Sequence, residues 1–198
     1  MVDILTALIV VLDFVLSIWN SYTAGFSYGM LKKSGGTSWM YLSPILGLAL
    51  GLAGAVYVTA IVASVVAYVL GLVDVGTINL LLTYNFLITG GLITVLGIGV
   101  TVQSIYIAVK RPGVWTVLGA LYNTFASIWN VFVYIQNFGP AVSIINSARQ
   151  NERKSGLGTL IVLAVVVTVL GVFLSYIAFY AGRNHAEGTS RGIIRRTR

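Results

Sequence analysis

Polar side chains recur at helical spacing in two otherwise apolar stretches of the chain. Steps of three and four residues place each set on one face of a helix. The positions are Asp13, Ser17, Asn20, Ala24 and Ser27 in the first stretch, and Asn123, Ser127, Asn130, Tyr134 and Asn137 in the second. A carboxylate combined with amide oxygens and hydroxyls is a ligand set that suits a hard cation such as Na⁺.

Asp13 is the only formally charged residue inside the long apolar stretches. An ionised carboxylate is costly within a bilayer, so this residue needs a polar partner or a proton. One hypothesis is a proton- or cation-linked polar cavity. Its candidate lining residues are Asp13, Ser17, Asn20, Asn85, Asn123, Ser127 and Asn130. The alternative is that the stripes only join helices through hydrogen bonds, with Asp13 neutral or near the outer interface.

Residues for enzymatic chemistry are scarce. The chain has no cysteine and a single histidine, His185, which excludes disulfides, thiolate chemistry, bis-histidine haem and His-rich metal cages. The Gly-x-Ser-x-Gly, His-Glu-x-x-His and phosphate-loop motifs are also absent from the sequence. We therefore expect no enzyme activity, no metal site and no cofactor.

The composition indicates whether this chain lies in water or in a membrane. Of 198 residues, 58% are hydrophobic and 9% are charged. Soluble domains average roughly 45–50% apolar and about 25% charged residues. The charges are too few to cover a soluble surface, and the chain is too apolar for a long disordered protein. The composition therefore predicts an integral membrane protein.

Five apolar runs are long enough to cross a bilayer, which takes about 20 residues. They cover residues 4–30, 44–73, 77–109, 115–138 and 157–182. Trp39 and Tyr41 are expected as interfacial anchors, and Gly139-Pro140 predicts a break or kink. The runs lack the alternation of β-barrel strands. We predict an all-α, polytopic bundle of about five transmembrane helices, with one domain over residues 1–182 and a basic cytoplasmic tail over 183–198.

The placement of lysine and arginine predicts the orientation. With five spans, nine basic residues collect on one side and three on the other, which puts the N-terminus outside and the C-terminus inside the cell membrane. The nine are Lys32, Lys33, Lys110, Arg111, Arg183, Arg191, Arg195, Arg196 and Arg198, and the three are Arg149, Arg153 and Lys154. In a four-span alternative, residues 112–150 lie in the membrane–water interface, but the arginine-rich tail is then on the outer side.

Small residues form ridges that let helix backbones approach closely. They are Gly47, Gly51, Ala55, Thr59, Ala63 and Ala67 in the second run, and Ala164, Thr168, Gly171, Ser175, Ala178 and Gly182 in the fifth. Such ridges serve packing within the bundle, or contacts with a second copy or other membrane subunits. Gly90-Gly91 in the third run also permits a hinge.

The basic tail is expected to contact anionic lipid headgroups, so lipid is the predicted partner. Its contact residues are Arg191, Arg195, Arg196 and Arg198. The tail has no aromatic platform and no nucleic-acid-binding fold, so no nucleic-acid partner is expected.

The tetrapeptide Ser-Ile-Trp-Asn occurs at residues 17–20 and again at 127–130. A repeat of the first two spans in the last two would have inverted topology, an architecture that transporters use with a site near the midplane. The second and fifth spans share little beyond apolarity, which argues against such a repeat.

Two functions remain open. The first is a small transporter or channel with a midplane polar site between the first, third and fourth spans. It predicts a water-accessible cavity that reaches Asp13 or the paired asparagines. The second is a non-catalytic accessory or structural subunit of a larger membrane complex. It predicts outward-facing small-residue ridges and satisfied polar stripes without a cavity.

Overall fold

The computed structural model describes the backbone of residues 4–150 and 157–196. It describes their side chains too, except for some at the helix ends. These residues form helices and short connections, which confirms the all-α prediction. The first helix is Ile4–Ser34 and the second is Ser38–Val69. The third is Val75–Lys110, and it contains a π-helical turn at Phe86–Gly90. The fourth is Val114–Gln150 and the fifth is Leu157–Arg196.

Glycine and aspartate set the two connections at the ends of the second helix. Gly35 and Gly71 follow helix ends with φ of +67° and +68°, a backbone conformation that glycine adopts without steric cost. The amide of the next residue then bonds back into the helix, from Gly36 to the Leu31 carbonyl and from Leu72 to the Ala67 carbonyl. Asp74 starts the third helix by accepting a hydrogen bond from the Thr77 amide at 2.7 Å.

Four helices are long and apolar enough to cross a membrane: Ser38–Val69, Val75–Lys110, Val114–Ala148 and Ile161–Gly188. The chain is therefore a multi-pass membrane protein. The first helix, Ile4–Ser34, is also of bilayer length and carries one charged residue, Asp13, before Lys32 and Lys33 at its end.

The core is a three-helix unit of the first, second and fifth helices. The third helix packs on the second, and the fourth packs on the third. Small residues make the core tight, since Ala55 is fully buried and Ser175 donates to the Gly51 carbonyl at 3.4 Å. A Cβ at Gly171 would lie 3.0 Å from the Val56 nitrogen. Both ridges therefore bury most of their length inside the bundle, although Ala164 and Thr168 are exposed.

Helix direction alternates along the chain. Ser17 faces Gly54 while Ala24 faces Gly47, so the first and second helices are antiparallel. Gly25 faces Phe179 and Gly29 faces Arg183, so the first and fifth helices are parallel. Alternation of this kind is what five successive crossings require.

The first connection and the fifth helix meet at one end of the bundle. The Lys33 ammonium donates to the carbonyls of Ala186 and Glu187 at 3.0 and 2.8 Å. The four-span alternative would place these groups on opposite faces of the membrane. The contact therefore argues against that four-span alternative.

Two helices extend past the predicted span ends. The fourth continues through Gly139 and Pro140, where the sequence predicts a break or kink. Proline removes one helical hydrogen bond, which here does not end the helix. The fifth continues beyond Gly182 to Arg196 as a 40-residue helix. At 1.5 Å per residue it is about 60 Å long, roughly twice the hydrocarbon thickness, so it projects from the membrane.

The packing does not reproduce a repeat of helix pairs. The first and second helices pack along each other, whereas the described parts of the fourth and fifth share no such interface. Trp19 and Trp129, the tryptophans of the repeated tetrapeptide, are 60% and 58% exposed. The Trp129 indole lies at the outer surface of the bundle, whereas Trp19 lines a cavity beside the fourth helix.

Candidate functional site: a groove between the first and fourth helices

An open groove separates the first and fourth helices, whose described residues share no extensive packing interface. Its deeper part, here called the inner chamber, has a volume of about 410 Å³. Gly47 and Leu50 of the second helix and Val100 of the third lie between its two walls. The polar lining residues are Asn20, Thr23, Ser27, Ser43 and Asn123. The sequence predicted a site between the first, third and fourth helices, and the structure adds the second helix to it.

Hydrogen bonds to the third helix hold the fourth helix in place. The Thr101 hydroxyl donates to the backbone carbonyl of Asn123 at 2.8 Å and pairs with the Ser127 hydroxyl at 2.7 Å. Farther along, the Tyr134 hydroxyl donates to the Leu87 carbonyl at 3.0 Å. These bonds fix the wall on which Asn123 lies.

The first helix presents Asn20 from the opposite wall. Ala24, one turn on, is buried against Gly47, where a Cβ would lie 3.3 Å from the Ala24 Cβ. The neighbouring Thr23 hydroxyl bonds backward to the Trp19 and Asn20 carbonyls at 3.0 and 3.1 Å. Close packing on the second helix thus orients the face of the first helix that carries Asn20.

Asn20 and Asn123 are half-buried, and their side-chain amides have no hydrogen-bond partner among the described residues. Each amide carries two donors and one acceptor. Such groups are costly in hydrocarbon, so they need water or a polar ligand. The structure therefore brings together one asparagine from each predicted stripe in a single polar chamber.

The other residues of the first stripe belong to a helix interface. Ser17 and Ser21 are 6% and 0% exposed and face the glycines of the second helix. Their hydroxyls donate within the first helix, to the Asp13 and Ser17 carbonyls at 2.6 and 3.3 Å. Asp13 is half-buried one turn before Ser17 and does not line the inner chamber.

Asn85 joins the second and third helices at the π-helical turn. Its amide nitrogen donates to the Tyr57 carbonyl at 3.0 Å, and its amide oxygen accepts from the Thr89 hydroxyl at 2.6 Å. The π-helical turn begins directly after this residue and ends at Gly90, the first residue of the Gly90-Gly91 pair. Asn85 therefore has the hydrogen bonds expected of a structural residue.

Ser127 and Asn130 lie at the interface of the third and fourth helices. A Cβ at Gly97 would be 3.3 Å from the Ser127 Oγ and 3.9 Å from the Asn130 Nδ2. The absence of a side chain at Gly97 lets both polar groups approach the third helix. Neither residue lines the inner chamber.

A second cavity, here called the outer chamber, adjoins the inner one toward the basic end of the bundle. It has a volume of about 290 Å³ and shares Ser27, Ser43 and Pro44 with the inner chamber. Its lining is mainly apolar, with two basic residues. The residues are Phe26, Met30, Leu31, Met40, Tyr106, Ile107, Lys110 and Arg111, besides the three shared ones. The positions of Lys110 and Arg111 in the sequence predict topology but not that the two residues line a cavity.

The basic end of the bundle carries further charges. Arg183 forms an ion pair with Glu187 at 3.1 Å, one turn along the fifth helix. The predicted lipid-contacting residues Arg191, Arg195 and Arg196 are on described helical backbone, while their side chains lie outside the described set, as does Arg198. The three basic segments that the sequence assigned to one side thus converge where the structure describes them.

Gln103 is a polar residue that the sequence interpretation overlooked. It is 6% exposed, and its side-chain oxygen has no hydrogen-bond donor among the described residues. Its helical register lies between Val100, which lines the inner chamber, and Ile107, which lines the outer one. A lone glutamine within an apolar run was the signal in the sequence.

Within the described part of the chain, no cluster of His, Cys, Asp or Glu side chains is arranged to hold a metal ion. The chemistry of the groove is therefore that of amides, hydroxyls and two cations. No protein-family model, curated protein or solved structure matches this chain.

Proposed function

We propose that the chain is a small membrane transport protein whose polar path is the inner chamber. The observation that carries the proposal is the convergence of the Asn20 and Asn123 amides on one chamber, where neither has a hydrogen-bond partner among the described residues. A side-chain amide that lacks a protein partner inside a membrane protein needs water or a polar solute beside it, which supports a solute path.

The packing supports transport over the role of an accessory subunit. An accessory subunit would present its small-residue ridges to a partner. Here the ridge of the second helix is buried against the first and fifth helices, as Gly51 against Ser21 and Thr59 against Val167 illustrate. The bundle has used these ridges for its own core.

The groove supplies a route from the basic face toward the middle of the bundle. A solute entering there would exchange its hydration for hydrogen bonds to Ser27, Ser43 and then the two asparagines. Asp13 lies seven positions before Asn20, about 10 Å farther along the helix. It is the one charged residue within the first apolar run, which supports a role in proton or cation coupling.

The proposed orientation puts the basic face toward the cytoplasm and the N-terminus outside the cell membrane. Lys32, Lys33, Lys110 and Arg111 support it, because cytoplasmic segments carry the excess of basic residues. The inner chamber would then open toward the cytoplasm.

Thiol accessibility tests the path directly, since the chain has no native cysteine. Asn20→Cys and Asn123→Cys are reconstituted in vesicles and treated with a membrane-impermeant, water-soluble thiol reagent. Both are expected to react, whereas Trp129→Cys, on the outer face of the fourth helix, is expected to stay unlabelled. Equal protection of all three cysteines would rule out a water-filled path.

Flux measurements test the coupling role of Asp13. Vesicles containing a pH-sensitive or Na⁺-sensitive dye report proton or Na⁺ movement with the native chain and with Asp13→Asn. Loss of ion flux in the variant is expected if the carboxylate carries the ion. Flux that is unchanged by Asp13→Asn would remove this residue from the mechanism.

A further inference from the structure

The outer chamber combines an apolar interior with two cations at the membrane surface. We propose that it binds an anionic membrane lipid, with the headgroup phosphate held by Lys110 and Arg111 and one acyl chain lying along the apolar lining. This site is distinct from the basic tail and from the inner chamber. The proposal concerns binding, so it stands whether or not the chain transports a solute.

Charge complementarity identifies the headgroup. Lys110 and Arg111 are both exposed, and neither has an acidic partner among the described residues. The described ion pair at this end of the bundle joins Arg183 and Glu187, away from the chamber. Arginine binds phosphate through two parallel hydrogen bonds and lysine binds it as a point charge, so adjacent residues of both kinds form a phosphate-binding pair.

The lining identifies the rest of the ligand. Phe26, Met30, Met40 and Ile107 give the chamber an apolar body directly beneath the two cations. Tyr106 lines the chamber and is 40% exposed. In this position its ring can contact the acyl chain of the lipid and its hydroxyl can reach the headgroup region. A free anion such as phosphate would use the cations but leave the apolar lining unoccupied. An amphiphile satisfies both.

The position of the chamber also suits a lipid. Lys110 and Arg111 end the third membrane-spanning helix, so they lie at headgroup depth. Ser27, Ser43 and Pro44 connect the chamber to the inner one, and the chain of a bound lipid would point toward them. Such a lipid would stand between the basic surface and the inner chamber.

Native mass spectrometry of the full chain in detergent tests the site. Phosphatidylglycerol and phosphatidylcholine are titrated separately, and the fraction of protein with bound lipid is measured. The native chain is expected to retain phosphatidylglycerol in preference to phosphatidylcholine. Lys110→Gln and Arg111→Gln are each expected to weaken retention about fivefold, as for loss of one basic contact to an anionic lipid.

Two further variants separate the site from general surface charge. Lys32→Gln removes the same charge at the same end outside the chamber and is expected to leave retention unchanged. Met30→Trp fills the chamber from a residue that is 46% exposed, so the fold tolerates it, and is expected to reduce retention without a change of charge.

Three outcomes would overturn the proposal. An equal effect of Lys32→Gln and Lys110→Gln would show non-specific attraction. Full retention in Met30→Trp would show that no chain enters the chamber. Displacement of phosphatidylglycerol by inorganic phosphate at comparable concentration would show a site for soluble anions. None of these outcomes depends on solute flux.

Discussion

At the scale of single residues, missing side chains determine how closely the first and fifth helices approach. A Cβ at Gly25 would lie 1.9 Å from the Phe179 carbonyl oxygen, and one at Gly182 would lie 2.0 Å from that of Tyr22. Backbone atoms cannot move aside as a flexible side chain can. The core therefore depends on these glycines rather than on particular side-chain pairs.

Gly25→Ala is expected to destabilise the bundle by about 1–3 kcal/mol, because the added methyl group forces the two backbones apart. Gly119→Ala is the matched control, since nothing lies within 4 Å of a Cβ there. In the control, alanine favours the helix by roughly 0.5–1 kcal/mol. Thermal unfolding in one detergent compares them, and equal shifts in Tm would contradict the packing described here.

Substitution by leucine should have opposite effects on stability at Asn20 and at Asn85. Asn20→Leu removes an amide without a protein partner, so we expect a higher Tm together with loss of flux. Asn85→Leu removes hydrogen bonds to Tyr57 and Thr89, so we expect a loss of about 1–3 kcal/mol. A lower Tm for Asn20→Leu would instead identify Asn20 as hydrogen-bonding glue between helices.

At the scale of helices, the fourth is the least secured, because its described residues pack mainly on the third. Thr101→Val keeps the side-chain shape and removes the hydrogen bonds to Asn123 and Ser127. The expected cost is about 0.6 kcal/mol, and up to about 1.7 kcal/mol, the measured range for hydrogen bonds between membrane helices. Spin-label distances between the first and fourth helices should broaden as the wall of the groove loosens.

Thr168→Val is the control for that experiment. Its exposed hydroxyl bonds only within its own helix, to the Ala164 carbonyl at 2.8 Å. It should leave both the stability and the spin-label distances unchanged. An identical response in the two valine variants would exclude a specific role for the Thr101 bonds.

Helix positions follow from the sequence more directly than helix partners do. Apolar runs of bilayer length predict the five helices, and spacing predicts which residues share a face. Spacing does not state which helix that face meets, because small and polar side chains both pack inward in lipid. Ser17 and Asn20 share a predicted stripe. Ser17 nevertheless is buried against the second helix, whereas Asn20 lines the groove. Likewise, Pro140 leaves the carbonyl four residues earlier without its helical hydrogen bond, yet the fourth helix continues through it.

At the scale of the whole molecule, alternation of helix direction constrains topology. The parallel first and fifth helices begin at one face and end at the other. The connections at residues 35–37 and 111–113 and the extended end of the fifth helix share the basic face, while the connection at residues 70–74 lies at the opposite one. This distribution groups the basic segments on one face, while the side on which that face lies stays a prediction that separate labelling of each face tests.

Single cysteines at exposed positions in the cysteine-free chain measure this topology. Thr37→Cys, Val114→Cys and Gly188→Cys are expected to react with an impermeant reagent only after the membrane is opened, because they lie on the proposed cytoplasmic face. Leu72→Cys, at a residue that is 66% exposed, is expected to react in intact cells. If Gly188→Cys reacted in intact cells while Thr37→Cys did not, the chain would cross the membrane an even number of times. The contact of Lys33 with Ala186 and Glu187 could not then form, since its two sides would lie on opposite faces.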